Sequence, residues 1–204
     1  MSIEAIALLN DPVRRGLYGY VVSQGHDVGR NEAAEAVGVQ RTLAAFHLDK
    51  LVEAGLLDAV FRRAEGRGGP GAGRPAKYYR RASGEFAVSV PPRDYRTAAS
   101  LLAEVVDRAG LDERAEDAAR AYGRKHGGDP ERLLGERGYE PYEEDGVLRM
   151  RNCPFHALAE EFPALVCSMN LALLEGLAEE AGWCARMDPA PGRCCVALSK
   201  TNEI

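Results

Sequence analysis

Val39-Gln-Arg-Thr-Leu-Ala-Ala-Phe-His47-Leu48-Asp-Lys-Leu51-Val-Glu-Ala-Gly55-Leu56-Leu57-Asp-Ala-Val-Phe61 carries the strongest fold signal in this 204-residue chain. Its apolar residues recur at helical spacing from Gln40 to about Ala54. Leu43, Leu48, Leu51 and Val52 are expected inward, and Gln40, Arg41, Thr42, Ala45, Asp49 and Lys50 toward solvent. Gly55 ends the helix, and Leu56 to Phe61 reads as a strand. Upstream, Asp11-Pro12 is a helix start, because Asp caps free N–H groups and Pro suits the first helical position. Val13, Leu17, Tyr20 and Val21 carry that helix to Gln24-Gly25. A second short helix is expected from about Arg30 to Val37, and Gly38 leaves only a few residues before the third. Two helices across so short a glycine-containing turn spell a helix-turn-helix.

Downstream, Ala76-Lys77-Tyr78-Tyr79-Arg80 reads as the return of the strand that ends near Phe61. The connection from Arg63 to Pro75 is rich in glycine and arginine. A helix-turn-helix followed by a two-stranded hairpin with a basic tip is a winged helix. Gln40, Arg41 and Thr42 at the start of the third helix are side chains able to reach base edges in a major groove. Arg67 and Arg74 on the wing would serve phosphates or a minor groove. A solvated amphipathic face would carry the same helix residues, and it is the hairpin that favours DNA. Gly66-Arg-Gly68-Gly-Pro-Gly71 fits the G-x-G-x-x-G pattern but runs into Pro75 and a strand. Without a following helix N-terminus it is not expected to hold a pyrophosphate.

The stretch from Val39 to Leu57 resembles the recognition helix and wing entry of ArsR-type winged-helix repressors, in its His47-Leu48 pair and its Leu51-x-x-x-Gly55-Leu56 ending. The resemblance covers about residues 10–82. It implies a homodimer on an inverted repeat of double-stranded DNA. The DNA-binding set expected is then Gln40, Arg41, Thr42, His47, Lys50, Arg67 and Arg74.

The overall charge of −5 argues against a nucleic-acid binder, but it is unevenly spread. Residues 1–87 hold 12 Lys and Arg against 10 acids, and residues 88–204 hold 14 against 21. Residues 62–81 hold seven Lys and Arg and one acid, and local density rather than total charge attracts phosphate. Val90-Pro91-Pro92-Arg93 is the expected boundary, giving a DNA-binding domain at 1–90 and a dimerisation and sensor domain at 91–204.

The second half reads as a small α+β domain of helices and antiparallel sheet. Helices are expected at Asp94–Ala109, Asp112–Lys125, about Pro130–Arg137 and Pro163–Ala181. Ala98, Leu101, Leu102, Val105 and Val106 share one face of the first, suited to an antiparallel pair or a dimer seam. A hairpin turns at Asp145-Gly146, and two further strands are expected at Trp183–Met187 and Arg193–Leu198. The most apolar window, Phe162 to Ala178, contains Ser168, Asn170 and Glu175 and is too broken to span a membrane.

All five cysteines lie here: Cys153, Cys167, Cys184, Cys194 and Cys195. The odd number, and a start without a basic and apolar leader, argue against a secreted disulfide scaffold and for a cytoplasmic protein. Cys153-Pro-Phe-His156 spaces two soft ligands as a chelate would. Cys194 and Cys195, adjacent in an expected strand, should face opposite ways, so that only one joins a shared site. Cys184 beside Trp183 is most simply core. Packed thiols and a satisfied histidine remain the alternative to a metal site.

Asn152-Cys-Pro-Phe-His156, Leu165-Val-Cys167 and Pro191-Gly-Arg-Cys-Cys195-Val together resemble the sensor half of the Suf-operon repressors, SufR, which are winged-helix regulators of the ArsR/DeoR type. The resemblance implies an iron–sulfur cluster, [4Fe–4S] rather than [2Fe–2S], held by Cys153, Cys167 and Cys195 (Cys194 as alternative), with His156 as fourth ligand. It implies a repressor without enzymatic activity or membrane association, whose operator affinity the cluster controls. Two rivals stand beside it. One is a zinc-responsive regulator, since three thiolates and an imidazole suit zinc equally well. The other is a thiol enzyme using Cys153 with His156 as base.

Overall fold

Helix α1 (Ile3–Ala7) leads through a 3-10 turn at Leu8–Asn10 to Asp11, whose carboxylate accepts the Arg14 N–H at 2.9 Å and starts α2 (Pro12–Ser23). The structure is a computed structural model that describes residues 3–62 and 75–201. It divides into two units, Met1–Pro92 and Arg93–Ile204. The protein mixes helix and sheet in both.

In the first unit, β1 (Val28–Gly29) precedes α3 (Arg30–Val37) and α4 (Arg41–Glu53). Gly38 ends α3 at φ 71°, a backbone region open to glycine, and lets the Val39 N–H return to the Ala34 carbonyl at 2.9 Å. The chain then reverses within three residues into α4. Strands β2 (Leu57–Arg62) and β3 (Ala76–Arg81) pair antiparallel, and β1 adds to the other edge of β3. Leu17, Val21, Val28, Leu48, Leu51, Leu57 and Tyr79 fill the core between helices and sheet. Burial of such side chains contributes about 1.5–3 kcal/mol each. The two-residue β1 is too short to leave an alternating pattern in sequence.

In the second unit, α5 (Tyr95–Arg108) is capped by Asp94, and α6 (Asp112–Lys125) and α7 (Pro130–Glu136) follow. Strands β4 (Pro141–Glu144) and β5 (Val147–Met150) are joined by Asp145 and Gly146 at φ 54° and 73°, the left-handed pair of a tight hairpin turn. Helices α8 (His156–Glu161) and α9 (Pro163–Ala178) come next, and a 3-10 turn at Glu179–Ala181 replaces the expected last helical turn. Strands β6 (Trp183–Met187) and β7 (Val196–Lys200) complete an antiparallel sheet ordered β4-β5-β7-β6. The last strand starts three residues later than expected, which frees Cys194 and Cys195 from the ladder.

Helices α6 and α9 cross at two glycines. A methyl on Gly123 would fall on the Leu173 carbonyl oxygen, and one on Gly176 on that of Arg120. Arg120–Glu175 (2.8 Å) and Arg124–Glu179 (2.6 Å) flank the crossing. The apolar face expected on α5 is not covered within the unit: Ala103 is buried, while Leu101, Leu102 and Val105 are exposed.

Candidate thiol site and nucleic-acid face

Three segments of the second unit deliver cysteines to one place. Cys153 follows β5, where Arg151 and Asn152 donate their N–H groups to Glu140 and Tyr139, both at 3.1 Å. Cys167 lies on the second turn of α9. Cys194 and Cys195 sit in the loop before β7. The Cys194 N–H donates to the Met150 carbonyl at 2.9 Å, and the Cys195 carbonyl accepts from the Asp188 N–H at 2.8 Å. Asp188 also receives Arg149 at 3.1 Å and Arg193 at 3.0 Å, a half-buried charge cluster that ties this loop to the β4–β5 hairpin.

The thiols are close neighbours: Cys153 and Cys195 both act on Cys194, and Cys195 also on Cys167, with Cys194 the sulfur they share. The bonds from Cys153 and Cys195 hold its thiol far below the ordinary value against the opposing effect of burial, with help from the Val196 N–H and Asn170. Cys153 is pushed up by its bond to Cys194 and then by burial, and Cys195 likewise. Behind them stands Asn170, 1% exposed, whose Nδ2 donates to Cys194 Sγ at 3.4 Å. Its Oδ1 accepts the Tyr139 hydroxyl at 2.6 Å. Burial raises Tyr139 above the ordinary tyrosine range, so it is a donor at any ordinary pH.

Four sulfur donors in a partly buried apolar setting suit a thiophilic centre, iron–sulfur or zinc, better than a hard cation. Among the described residues, no three His, Cys, Asp or Glu side chains are grouped so as to hold a single metal ion. The four cysteines are free thiols.

The placements differ from the sequence expectation in two respects. Cys194 and Cys195 both join the site, because the strand that would have set them on opposite faces begins only at Val196. His156 does not join. It opens α8 with a side chain 72% exposed and lies 3.4 Å from Glu160, one turn on, in the direction of solvent. Among the described residues the Cys153 and His156 side chains are not paired as a thiol enzyme would need, His156 being turned to Glu160. Cys184 stays apart, 3.8 Å from Thr201 Oγ1. Asn170 and Tyr139 went unrecognised; the signal available was an asparagine inside the most apolar window of the chain.

In the first unit, Gln40, Arg41 and Thr42 are exposed at the N-terminus of α4, Gln40 as its cap residue. Lys50 lies farther along and pairs with Glu53 at 2.7 Å. His47 is a correction: it is 7% exposed, edge-on to Phe46 on the packed side of the helix, and does not reach outward. Leu43 does not take its expected inward place, and Asp49, though its side chain is half exposed, is held by β3. Leu43 is exposed with Phe46, whereas Asp49 turns to β3 and accepts Lys77 at 2.6 Å and Tyr79 at 2.8 Å. Arg62 pairs with Asp27 and Arg80 with Asp58. Arg63, Arg67, Arg74 and the glycine-rich stretch 66–71 lie outside the described residues.

No helix among the described residues is long and apolar enough to cross a membrane. Comparison of the chain with protein-family models, with curated proteins and with solved structures gave no match.

Proposed function

We propose that the chain is a homodimeric DNA-binding transcriptional regulator, a repressor, whose operator affinity is set by an iron–sulfur cluster in its second unit. The observation that carries this reading is the meeting of Cys153, Cys167, Cys194 and Cys195 from three separate segments. Scattered core thiols would have no reason to converge. The first unit supports the DNA half of the reading. Helices α2, α3 and α4, with a tight α3–α4 turn, precede the paired strands β2 and β3, an order compatible with a winged helix-turn-helix in which α4 would be the recognition helix. The exposed Leu101, Leu102 and Val105 of α5 favour a dimer seam there. The resemblance to SufR-type sensors adds the cofactor.

Cys153, Cys167 and either or both of Cys194 and Cys195 would hold the cluster, which when bound supplies redox- and iron-responsive chemistry. Cys194 lies at the centre of this group, with Asn170 Nδ2 donating to its Sγ at 3.4 Å. Without a cluster these segments are already joined by the Cys194–Met150 backbone bond and by Asn170, which bridges Tyr139 and Cys194; a cluster would add bonds among the sulfurs themselves. Binding therefore changes what ties the 152–155 segment, α9 and the 188–195 loop to one another.

Anaerobic purification followed by iron, sulfide and zinc analysis tests the cofactor. Iron and sulfide in near-equal amounts are expected, lost in C153S and C167S and retained in H156A. Stoichiometric zinc without sulfide would replace this reading with the zinc-responsive one. Selection from a random duplex library should recover an inverted repeat, bound differently by loaded and depleted protein in a mobility-shift titration. Equal binding by both forms would remove the regulatory link.

A further inference from the structure

A cavity of about 480 Å³ opens in the second unit, within the range of small-molecule sites. Tyr122 of α6, Met169 and Leu173 of α9, Tyr139 and Phe155 form its apolar walls, and Arg137 is the one charged residue lining it. The Tyr139 hydroxyl is already committed to Asn170 and leaves its ring to face the cavity. Arg120, Arg149 and Arg193 of this unit each hold carboxylates, whereas among the described residues no carboxylate is paired with Arg137, nor with Arg151, which lies over the Tyr142 ring; of these arginines only Arg137 lines the cavity. Its guanidinium lies 5.9 Å from the Tyr122 ring centroid, and its Nε is buried with no hydrogen-bond acceptor. A buried guanidinium N–H without an acceptor is costly, and an oxyanion is the partner its forked geometry fits best.

We propose that this cavity binds a small organic anion, a carboxylate on Arg137 with its apolar body among Tyr139, Phe155, Met169 and Leu173. A polar metabolite would leave most of the lining unmatched, and a neutral apolar one would leave Arg137 as it is. The proposal does not depend on the regulator reading. It adds a ligand site next to the thiols, for Phe155 lies two residues from Cys153, and Tyr139 reaches Cys194 through Asn170.

Calorimetric titration of the full chain with octanoate and with 1-naphthoate, each against its alcohol, tests it. One site per chain is expected, with at least one carboxylate bound about tenfold or more tightly than its alcohol. Arg137→Gln should abolish that preference, and Met169→Trp, which fills the cavity, should weaken carboxylate and alcohol alike. The proposal fails if neither carboxylate outbinds its alcohol, or if the preference survives Arg137→Gln. The comparison on the unaltered protein decides the matter even where Arg137→Gln folds poorly.

Discussion

The α6–α9 crossing makes an unusual demand that a single methyl group can test. In an open helix, Gly→Ala stabilises by about 0.5–1 kcal/mol, because glycine loses more chain entropy on folding. At Gly176 the added carbon would fall on the Arg120 carbonyl oxygen, 2.9 Å from the Arg124 nitrogen and 3.1 Å from the Arg120 carbonyl carbon. All three are backbone atoms of the facing helix, so no side-chain rotation gives relief. The helices must separate toward the roughly 3.5–4 Å of ordinary carbon contacts. Overpacking of this kind costs about 1–3 kcal/mol. Separation also lengthens Arg120–Glu175 and Arg124–Glu179, but as partly exposed pairs these add only about 0–1 kcal/mol. Gly176→Ala should therefore destabilise by about 1–2 kcal/mol net. Gly123→Ala, whose carbon would stand 2.8 Å from the Leu177 nitrogen, should do the same. The double variant should lose less than the sum, since one displacement relieves both overlaps. Trp183 is the only tryptophan and sits in β6 of this unit, so its fluorescence reports the transition directly. At a slope of about 1–3 kcal/mol per molar urea, the midpoint should fall by roughly 0.5–1.5 M. Gly135→Ala in α7, where nothing lies within 4 Å of the new carbon, should leave the midpoint unchanged or raise it. A Gly176→Ala midpoint at or above that of the unaltered protein would refute the close crossing.

Two further perturbations follow from the same physics. Asn170→Leu leaves the Tyr139 hydroxyl buried without its acceptor and should cost about 1–3 kcal/mol; adding Tyr139→Phe should recover much of the loss in the same urea assay, and no recovery would show that the pair is not coupled. In the first unit, burial alone would raise Asp49, but hydrogen bonds from Lys77 and Tyr79 more than offset it and hold the carboxyl below its ordinary value. The stability this contributes is full above about pH 4, the unfolded value, and fades as pH falls through the lower folded one. Asp49→Asn should thus be less stable than the unaltered protein at pH 7 and converge with it toward pH 3, followed by far-UV circular dichroism; a gap that widens with acid would contradict the assignment.

What the sequence made legible is local in origin. Asp11-Pro12, Gly38, Asp145-Gly146 and Pro163 each act through their own backbone or the next turn, and helix and hairpin boundaries lie within a few residues of where they predict. What it concealed is non-local. The central place of β7 depends on pairing with β5 across some fifty residues, and the start of that strand decides whether Cys194 and Cys195 are opposed or joined. Cys153-Pro-Phe-His156 has chelating spacing, yet the start of α8 carries His156 toward solvent while Cys153 stays with the other thiols. Gly123 and Gly176 look like weak points of two helices until the helices are brought together, when they become the condition for close approach.

Charge shows the same division between count and placement, and it bears on how DNA would be read. The basic stretch 62–81 is strongly positive as a sum, but Arg62, Lys77 and Arg80 are committed to Asp27, Asp49 and Asp58. Those cations hold β2 and β3 to their own unit and are partly neutralised before any phosphate arrives. On the DNA-binding reading, general attraction would then rest on fewer cations than the sequence count implies, and the salt dependence of binding, which scales with phosphates neutralised, would be correspondingly shallow. Discrimination would fall to the exposed start of α4. There Gln40, Arg41 and Thr42 would offer hydrogen bonds to base edges, and Leu43, open to solvent where a core role was expected, would with the exposed Phe46 offer apolar contact of the kind a thymine methyl accepts. Truncating Leu43 and Phe46 to alanine should then weaken binding to the selected repeat more than to unrelated duplex at the same salt. Loss of both equally would return these side chains to a role in folding or dimer contact.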